Sequence, residues 1–481
     1  MPGCARRLPT GLGHMTRGVF RGLLFVFADG EAEPVAGQAC DDRSLRSEPC
    51  GRVDRRPGDR QSLAPASMAY VLSDPQQTPL DIDPKVESLG VFKANRDAPF
   101  HRWVHLTEGF SAQLVAQELI KAPDARRVYD PFGGTGTTPL VAVEMGRDAS
   151  WSEVNPYLQE AARTKIAAAR AGRDEREEAA STLLQVLREG PASASDRDGI
   201  SPLLAVNESR DFFEMQPLTD LLGWLRRFES TPGLARRIGL VAVATSAIQS
   251  SNMKRAVDLR RRTPREMERQ RLPAHDAVQQ RVLMMVDDLL RSPIATGSAA
   301  LVSSDARELP EDLDGMDLVV TSPPYLNGTN YCRNTKLELL MLGLIESEAG
   351  LKDLRTRSVT AGINNVSKRI REPDAIPPVE IVAAQLDDCA YDVRIPKMVR
   401  AYFSDMRIIL GETRRVMRPG GRLVLDIGDS RFAGVHIDAP ELLTVIAEDV
   451  GWRLEDVEII RSRVAKDGEP LCQKLLRLCS P

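Results

Sequence analysis

The chain contains 481 residues, of which 64 are Lys or Arg and 68 are Asp or Glu, so its formal net charge at pH 7 is −4. This balance excludes a wholly basic, histone-like nucleic-acid coat, and any contact with nucleic acid must use a local basic face. An apolar fraction of 42% indicates a globular protein with a large core, while an aromatic fraction of 5% argues against a platform of stacked aromatic rings.

The first 67 residues are predicted to be a disordered extension. They contain ten Arg and eight Asp or Glu, are rich in Gly, Pro and Ser, and have no sustained hydrophobic period. A short apolar run over residues 22–28 follows two arginines, so the alternative is a weak signal peptide. Met68 is a candidate alternative start, and we assign no chemistry to the extension.

Residues 68–174 are predicted to form the first part of an α/β domain. An amphipathic helix over 106–121 precedes a short strand at Val128-Tyr129, a turn rich in Gly and Thr, and a helix over 138–145. The same strand-then-helix pattern recurs over 151–171. Consecutive β-α-β units predict a Rossmann-like, doubly wound and mostly parallel sheet.

The rest of the chain is predicted to interrupt and then complete this sheet. Residues 175–297 are charged, helical in pattern and broken by prolines, which indicates a largely helical insertion. Strand patterns return over 298–481, with a helical and loop excursion at 331–417. The segment that begins at Gly451 is interpreted as a helix followed by a strand that closes the sheet in an antiparallel hairpin.

The first chemical pattern is DPFGGTGTT, which begins at Asp130. In a doubly wound sheet, ligands bind outside the carboxyl ends of the strands, and glycines let the backbone approach a ligand closely. No Lys follows the loop as in a phosphate-binding loop, and its spacing is not GxGxxG. Two further acids, Glu153 and Asp305, also end strands. Together they predict a pocket for a nucleoside with a cationic amino-acid arm; the alternative is an ordinary Gly-rich turn with surface acids.

The second pattern is TSPPY, Thr321–Tyr325, which follows a buried strand. Two prolines make a stiff turn with free carbonyl groups. The Ser322 hydroxyl and the Pro323 carbonyl suit the two hydrogens of an exocyclic amine, and Tyr325 offers a flat face to the ring. This arrangement would catalyse methyl transfer by positioning and electrostatics, without a covalent nucleophile. The alternative is a proline-rich turn without chemistry.

These patterns resemble the motifs of the S-adenosylmethionine-dependent DNA amino-methyltransferases. Asp130–Thr138 resembles their cofactor motif and Thr321–Tyr325 their catalytic motif, while Gly109–Val115 looks like the helix motif that packs over the methionine part of the cofactor. The resemblance implies a class I methyltransferase fold and S-adenosylmethionine as cofactor. It also implies that residues 175–297 include a target-recognition region, because 191 positions separate Asp130 from Thr321.

The resemblance also implies a role for individual residues. Glu153 would bind the ribose and Asp305 the adenine. The residues implied to surround the cofactor are Phe110, Ser111, Asp130, Phe132, Gly134, Gly136, Thr137, Thr138, Glu153 and Asp305. The target base would be held by the catalytic residues Ser322, Pro323, Pro324 and Tyr325. The serine in this motif favours the N4 amine of cytosine over the N6 amine of adenine.

Two basic stretches are candidates for contact with DNA phosphates. Residues 253–271 contain eight basic and three acidic side chains, and residues 352–371 also have a net charge of +5. A solvated helix face with internal ion pairs is the alternative for the first stretch. Arg333, Asn334 and Lys336 are further candidates to guide the DNA backbone.

The cysteines and histidines predict no metal site. Seven spread cysteines without a CxxC pair fit a reducing, cytoplasmic location, and the five histidines have no metal-ligand spacing, so we expect no metal. We expect no membrane association, because no apolar run approaches the roughly 20 residues needed to span a bilayer. Cys332 follows Tyr331 rather than a proline, so the signature of covalent ring-carbon methylation is missing, and we interpret it as a packed thiol. The sequence thus predicts a DNA methyltransferase, with a cognate restriction endonuclease as a candidate partner. The alternatives are an RNA amino-methyltransferase, or a non-catalytic nucleic-acid-binding regulator.

Overall fold

A computed structural model describes residues 89–105, 109–193, 202–256, 258–326, 331–366, 375–464 and 468–481. The predicted extension over 1–67 lies outside these ranges, as do the last five residues of the basic stretch 352–371. Across these ranges, no helix combines the length and the apolar character that a membrane span requires.

Strands in the described ranges make one large sheet and two small hairpins. Their bounds are β1 Arg127–Asp130, β2 Asp148–Ser152, β3 Met253–Lys254, β4 Arg260–Arg261, β5 Ser298–Ser303, β6 Met316–Thr321, β7 Met417–Gly428, β8 Ser430–Phe432, β9 Val435–Ile437, β10 Arg453–Val464 and β11 Pro470–Cys479.

The helices account for most of the remaining described chain. Their bounds are α1 Ala112–Lys121, α2 Thr137–Glu144, α3 Pro156–Arg170, α4 Arg173–Glu189, α5 Pro202–Arg210, α6 Met215–Glu229, α7 Gly233–Ser250, α8 Pro264–Gln270, α9 Ala274–Arg291, α10 Tyr331–Asn334, α11 Lys336–Met341, α12 Glu348–Arg357, α13 Pro377–Cys389, α14 Arg394–Val416 and α15 Ala439–Asp449, with 3-10 turns at Phe92–Arg96, His101–Trp103 and Ile363–Asn365.

The large sheet has the strand order β10-β11-β7-β6-β1-β2-β5. The pairs from β7 to β5 are parallel, and β11 runs antiparallel to both of its neighbours. The order reverses between β1 and β6, so this is the switch point at which a doubly wound sheet binds its ligand. The predicted Rossmann-like fold of the class I methyltransferase type is confirmed.

The residues of the central strands alternate between two apolar cores. Val128 packs with α1 and α2 on one face, whereas Tyr129 packs with α14 and α15 on the other. A third core joins α2 and α3 to helices α4 to α7, α9, α11 and α12. Because one helical body continues from the sheet into the segment between α3 and β5, that segment is held against the domain that carries the site.

The C-terminal segment differs from the interpretation of its first half as a helix. Both halves are strands, and β10 pairs with β11 as an antiparallel hairpin. The register of this pair shifts between Leu454 and Asp456 and again between Ile459 and Arg461. Each bulge adds a residue to the two-residue alternation of a strand, so the apolar residues recur at spacings typical of a helix.

Gly136, at the start of α2, provides a test of the loop geometry. Its φ is +81°, and an added Cβ would lie 2.8 Å from Ala162 Cβ. We expect Gly136→Ala to lower the free energy of unfolding by about 1–3 kcal/mol. Gly411 lies inside α14, and an added Cβ there would have no atom within 4 Å. Gly411→Ala should therefore raise the free energy of unfolding by about 0.5–1 kcal/mol. Urea denaturation of both variants checks this, and equal effects would contradict it.

Candidate functional site

An open pocket lies at the carboxyl ends of β1, β2 and β6. The pocket and the open solvent at its mouth together enclose about 1100 Å³. Among the predicted site residues, those that line it are Phe110, Phe132, Gly134, Thr137, Glu153, Asp305, Ser322, Pro323 and Pro324. The loop after β1 and the loop after β6 therefore face the same space, because β1 and β6 are adjacent in the sheet.

Asp130 joins these two loops from behind the pocket. Its Oδ1 accepts from the Thr321 hydroxyl at 2.6 Å and from the Phe132 N–H at 2.9 Å, while its Oδ2 is buried with no hydrogen bond within the described chain. Burial raises the pKa of this carboxyl to about 6, although both hydrogen bonds favour the ionised form. Asp130 thus fixes the last residue of β6 against the turn that follows β1.

Glu153, just after β2, holds the glycine loop and faces the pocket. Its Oε2 accepts from the Gly134 N–H at 2.8 Å and its Oε1 from the Asn155 N–H at 2.8 Å. Burial raises the pKa of the Glu153 carboxyl to about 7. Each carboxylate oxygen has a second lone pair, so the side chain can also accept from hydroxyl groups in the pocket.

Besides Asp130, three of the predicted cofactor residues support the pocket without lining it. The Ser111 side chain caps α1 by accepting from the Leu114 N–H. The Thr138 hydroxyl donates to the Val320 carbonyl at 2.9 Å and so ties α2 to β6. Gly136 begins α2 in a left-handed conformation and packs on α3. Their contacts in the structure are with the protein itself.

Asp305, two residues after β5, reaches the pocket as part of an ion pair. Both of its oxygens accept from the Arg307 guanidinium, at 2.8 Å to 3.2 Å. Arg307 also donates to Asp405 at 2.9 Å and to the Arg357 carbonyl. A bidentate guanidinium contact leaves little freedom of rotation, so the Asp305 carboxylate is held in one orientation.

The side chains of the TSPPY loop line two different cavities. Ser322 and both prolines line the pocket described above, whereas Tyr325 lines a neighbouring cavity. The Ser322 hydroxyl lies 3.4 Å from the Tyr325 hydroxyl. Burial raises the pKa of the Tyr325 phenol well above its ordinary value, so the phenol stays protonated.

Asp426 and Gln473 contact this loop through Tyr325, although neither residue was predicted from the sequence to be part of the site. The Tyr325 hydroxyl donates to Asp426 Oδ1 at 3.0 Å, and Gln473 Nε2 donates to the same oxygen at 2.7 Å. Asp426 Oδ2 is buried and forms no hydrogen bond in the part of the chain that the structure describes. A lone acid inside the apolar run LVLDIG was the available signal, but its partner on β11 depends on the strand order.

Most cations of the stretch 253–271 are already bound within the protein. Arg260 pairs with Glu266, Arg261 with Asp211, and Arg271 with Glu214. Arg255 is paired with Glu338 as well. Two of the other candidates, Arg333 and Lys336, pair with Asp258 and Glu348. Ion pairing, the alternative given for the stretch 253–271, therefore accounts for most of its cations.

The described ranges hold no cluster of three or more His, Cys, Asp or Glu side chains suited to a metal ion.

Cys332 was interpreted from the sequence as a packed thiol. Its thiol is buried beside the pocket, 3.3 Å from the Ser358 hydroxyl, and burial raises its pKa to about 11. A thiol with that pKa is protonated at neutral pH and is a poor nucleophile.

The lining of the pocket fits the S-adenosylmethionine that the motifs imply. The Glu153 and Asp305 carboxylates can accept hydrogen bonds, as ribose hydroxyls and an adenine amine would require, and Phe110, Phe132 and Leu158 present apolar surface that an adenine ring could contact. An added Cβ at Gly133 would lie 2.8 Å from Trp151, so the loop lies close against β2 and leaves the pocket open.

The Asp426 carboxyl generates a testable dependence of stability on pH. Burial raises its pKa from 3.8 to about 7, so the folded protein holds this proton more tightly than the unfolded chain. The free energy of unfolding of the native protein should therefore fall relative to that of Asp426→Asn as pH rises from about 4 to about 7, by up to about 4 kcal/mol. Urea denaturation across this range measures it. Glu448→Gln, at an exposed helix position, is the control and should parallel the native protein; parallel curves for Asp426→Asn would contradict the assignment.

The chain is similar in sequence to known methyltransferases. No family model matches the chain. The Type II methyltransferase M.AvaI of Nostoc sp. is 23% identical over 425 residues, which span 81% of this chain and 87% of that protein. The Type II methyltransferase M.BsoBI of Geobacillus stearothermophilus is 22% identical over 437 residues, or 79% of this chain and 84% of that protein.

Solved structures of methyltransferases also align. A SAM-dependent methyltransferase from Methanosarcina mazei covers 74% of this chain, with 92% of its own length aligned, at 9% identity and a TM-score of 0.25. The resemblance that the cofactor and catalytic motifs indicated is confirmed by the two long sequence matches and by the strand order. The chain therefore has a class I, Rossmann-like methyltransferase fold and is similar over most of its length to two Type II methyltransferases.

Proposed function

We propose that this protein is a site-specific DNA methyltransferase that transfers a methyl group from S-adenosylmethionine to the exocyclic amine of a base, with N4 of cytosine favoured over N6 of adenine. One observation carries the proposal. Glu153 and the glycine loop line the same pocket as Ser322 and Pro323, so a donor and an amine held by the two loops would meet. The length of the match to two Type II methyltransferases supports it.

The donor side of the pocket binds and orients the cofactor. The Glu153 carboxylate accepts from the ribose hydroxyls and the Asp305 carboxylate, fixed by Arg307, from the adenine amine. The Phe110 and Phe132 rings exclude water from the adenine. S-adenosylmethionine supplies an electrophilic methyl group on a sulfonium. Because the protein contributes walls and acceptors only, its role on this side is to hold the methyl in one place.

The acceptor side orients the amine and stabilises the charge that develops on it. The Ser322 hydroxyl and the Pro323 carbonyl accept from the two amine hydrogens, which aims the nitrogen lone pair at the methyl. Asp426 supports this arrangement because it binds the Tyr325 hydroxyl, 3.4 Å from the Ser322 hydroxyl. Above its pKa of about 7, the ionised Asp426 carboxylate favours the positive charge on the nitrogen. The base reaches the loop only after it has left the duplex stack.

The similarity to Type II methyltransferases extends the proposal to a restriction-modification system, with a cognate endonuclease as partner and a cytoplasmic location. Two alternatives remain open to test: an RNA amino-methyltransferase, and a nucleic-acid-binding regulator that retains the cofactor pocket. The ordered network around Ser322, Tyr325 and Asp426 favours an enzyme, because a regulator does not need an oriented serine.

Removal of the Ser322 hydroxyl tests the catalytic assignment. We expect Ser322→Ala to lower kcat for methylation of DNA by a factor of about 100 or more, because an acceptor of the amine is lost, with little change in cofactor binding. Transfer of tritium from labelled S-adenosylmethionine to DNA and to RNA measures the rate and the substrate class. Mass spectrometry of the digested nucleosides identifies N4-methylcytosine or N6-methyladenine. Ser230→Ala, at an exposed position after α6, is the control. Full activity in Ser322→Ala would refute the assignment.

Substitution of Glu153 tests the donor side separately. We expect Glu153→Gln to raise the Kd for S-adenosylmethionine at pH 8 by a factor of about 10 or more, because charge-assisted hydrogen bonds to the ribose are lost. In the native protein, affinity should also rise with pH through about 7, where this carboxyl ionises. Calorimetric titration at pH 6 and pH 8 measures both. An unchanged Kd at both pH values would assign the ribose to another residue.

A further inference from the structure

A second cavity lies beside the pocket that the glycine loop and Ser322 line, which we call the donor pocket, and it extends the site. This cavity and the open solvent at its mouth together enclose about 890 Å³, and it shares Phe92 and Gly109 with the donor pocket. Tyr325, Gly428 and Gln473 line it, so it opens beside the catalytic loop. The Tyr325 ring thus faces a different space from the Ser322 side chain, which lines the same pocket as the glycine loop.

Cations from two separate parts of the chain line this cavity. Lys93 and Arg96 come from the 3-10 turn before α1, and Arg461 and Arg463 come from β10. The described residues that line the cavity include no Asp or Glu. Arg461 and Arg463 pair in regular register with β11, and residues two apart on a strand point to the same face. Two segments distant in sequence therefore present one basic surface next to Tyr325.

These four cations differ from the paired arginines elsewhere in the protein. Within the described ranges, none of the four side chains forms an ion pair or a hydrogen bond. By contrast, Arg260, Arg261 and Arg271 each bind a carboxylate. The pKa of His105, which also lines the cavity, is lowered to about 4, first by burial and then by the positive charge of Arg96 and other arginines. Unpaired positive charges beside the catalytic loop favour the binding of an anionic ligand.

We propose that this cavity binds the phosphodiester backbone of DNA next to the target base, with Lys93, Arg96, Arg461 and Arg463 as the phosphate-binding groups. The inference rests on the proposed function and adds the site that holds the extruded nucleotide. Arginine forms bidentate hydrogen bonds with phosphate oxygens, and phosphate contacts position a nucleic acid without reading its sequence. The base of the same nucleotide then lies against Tyr325, while its phosphates occupy the basic wall.

The test compares two double variants with the same loss of charge. Arg461→Gln/Arg463→Gln removes cations from the cavity. Arg422→Gln/Arg453→Gln removes them from the opposite ends of β7 and β10, where both arginines lie near Glu455. A fluorescent DNA duplex of mixed sequence is titrated with each protein from about 50 to 200 mM salt. We expect the cavity variant to bind about tenfold more weakly at low salt, and its slope of log K against log salt to be shallower by roughly 1–2.

Kinetics give a second measurement. In Arg461→Gln/Arg463→Gln the KM for DNA should rise, with a smaller change in kcat. In the control Arg422→Gln/Arg453→Gln both constants should keep their native values. Calorimetric titration with S-adenosylmethionine checks that every variant folds with an intact donor pocket. If Arg461→Gln/Arg463→Gln does not fold, Lys93→Gln/Arg96→Gln replaces it, because these residues lie on an exposed turn.

The outcomes separate this inference from the proposed function. If the native protein methylates DNA and the cavity variant keeps the native slope and KM, the inference is overturned and the proposed function stands. An equal loss in the variant at the opposite ends also overturns it. If the native protein methylates RNA instead, the proposed function fails, and a loss of slope with an RNA probe reassigns the cavity to RNA. A native protein that binds neither probe overturns both.

Discussion

The hydrogen bond between Asp130 and Thr321 is the contact on which the site depends. It joins the ends of β1 and β6, the two adjacent strands between which the strand order reverses, at 2.6 Å. One strand leads into the glycine loop and the other into the TSPPY loop. A carboxylate buried to this degree is unfavourable unless hydrogen bonds compensate, so the Thr321 hydroxyl and the Phe132 N–H are required partners. Because these partners come from both loops, each loop stabilises the position of the other.

The donor side was predictable because its signals are local in sequence. Gly134 and Glu153 follow neighbouring strands, and parallel strands bring their carboxyl ends together whatever the length of the connection. The same rule placed Asp305 and Ser322 at the pocket. Local patterns say less about the residues behind the pocket. Gly136 and Thr138 belong to the same motif as Gly134, yet their partners are α3 and β6, which only the packing of helices on the sheet determines.

The acceptor side was predictable only in part because it depends on the hairpin of β10 and β11. Gln473 reaches Asp426 and Tyr325 because β11 inserts between β7 and β10 and runs antiparallel to both. Two bulges in β10 disturb the alternation of apolar residues, so the sequence favoured a helix there. The same misassignment concealed the pair Arg461 and Arg463, since the two side chains share a face in a strand but not in a helix.

Pairing rather than local abundance decides which cations of this acidic chain can bind a polyanion. The stretch 253–271 has the higher density of arginine, but its acids and those of neighbouring segments neutralise most of it. An arginine that must leave a carboxylate before it binds a phosphate loses one charge-assisted contact for each that it gains. Lys93, Arg96, Arg461 and Arg463 carry no such penalty within the described chain. With a net charge of −4, the chain as a whole does not attract DNA, so under the proposed function an unpaired basic wall beside Tyr325 would favour the approach of the strand next to the TSPPY loop.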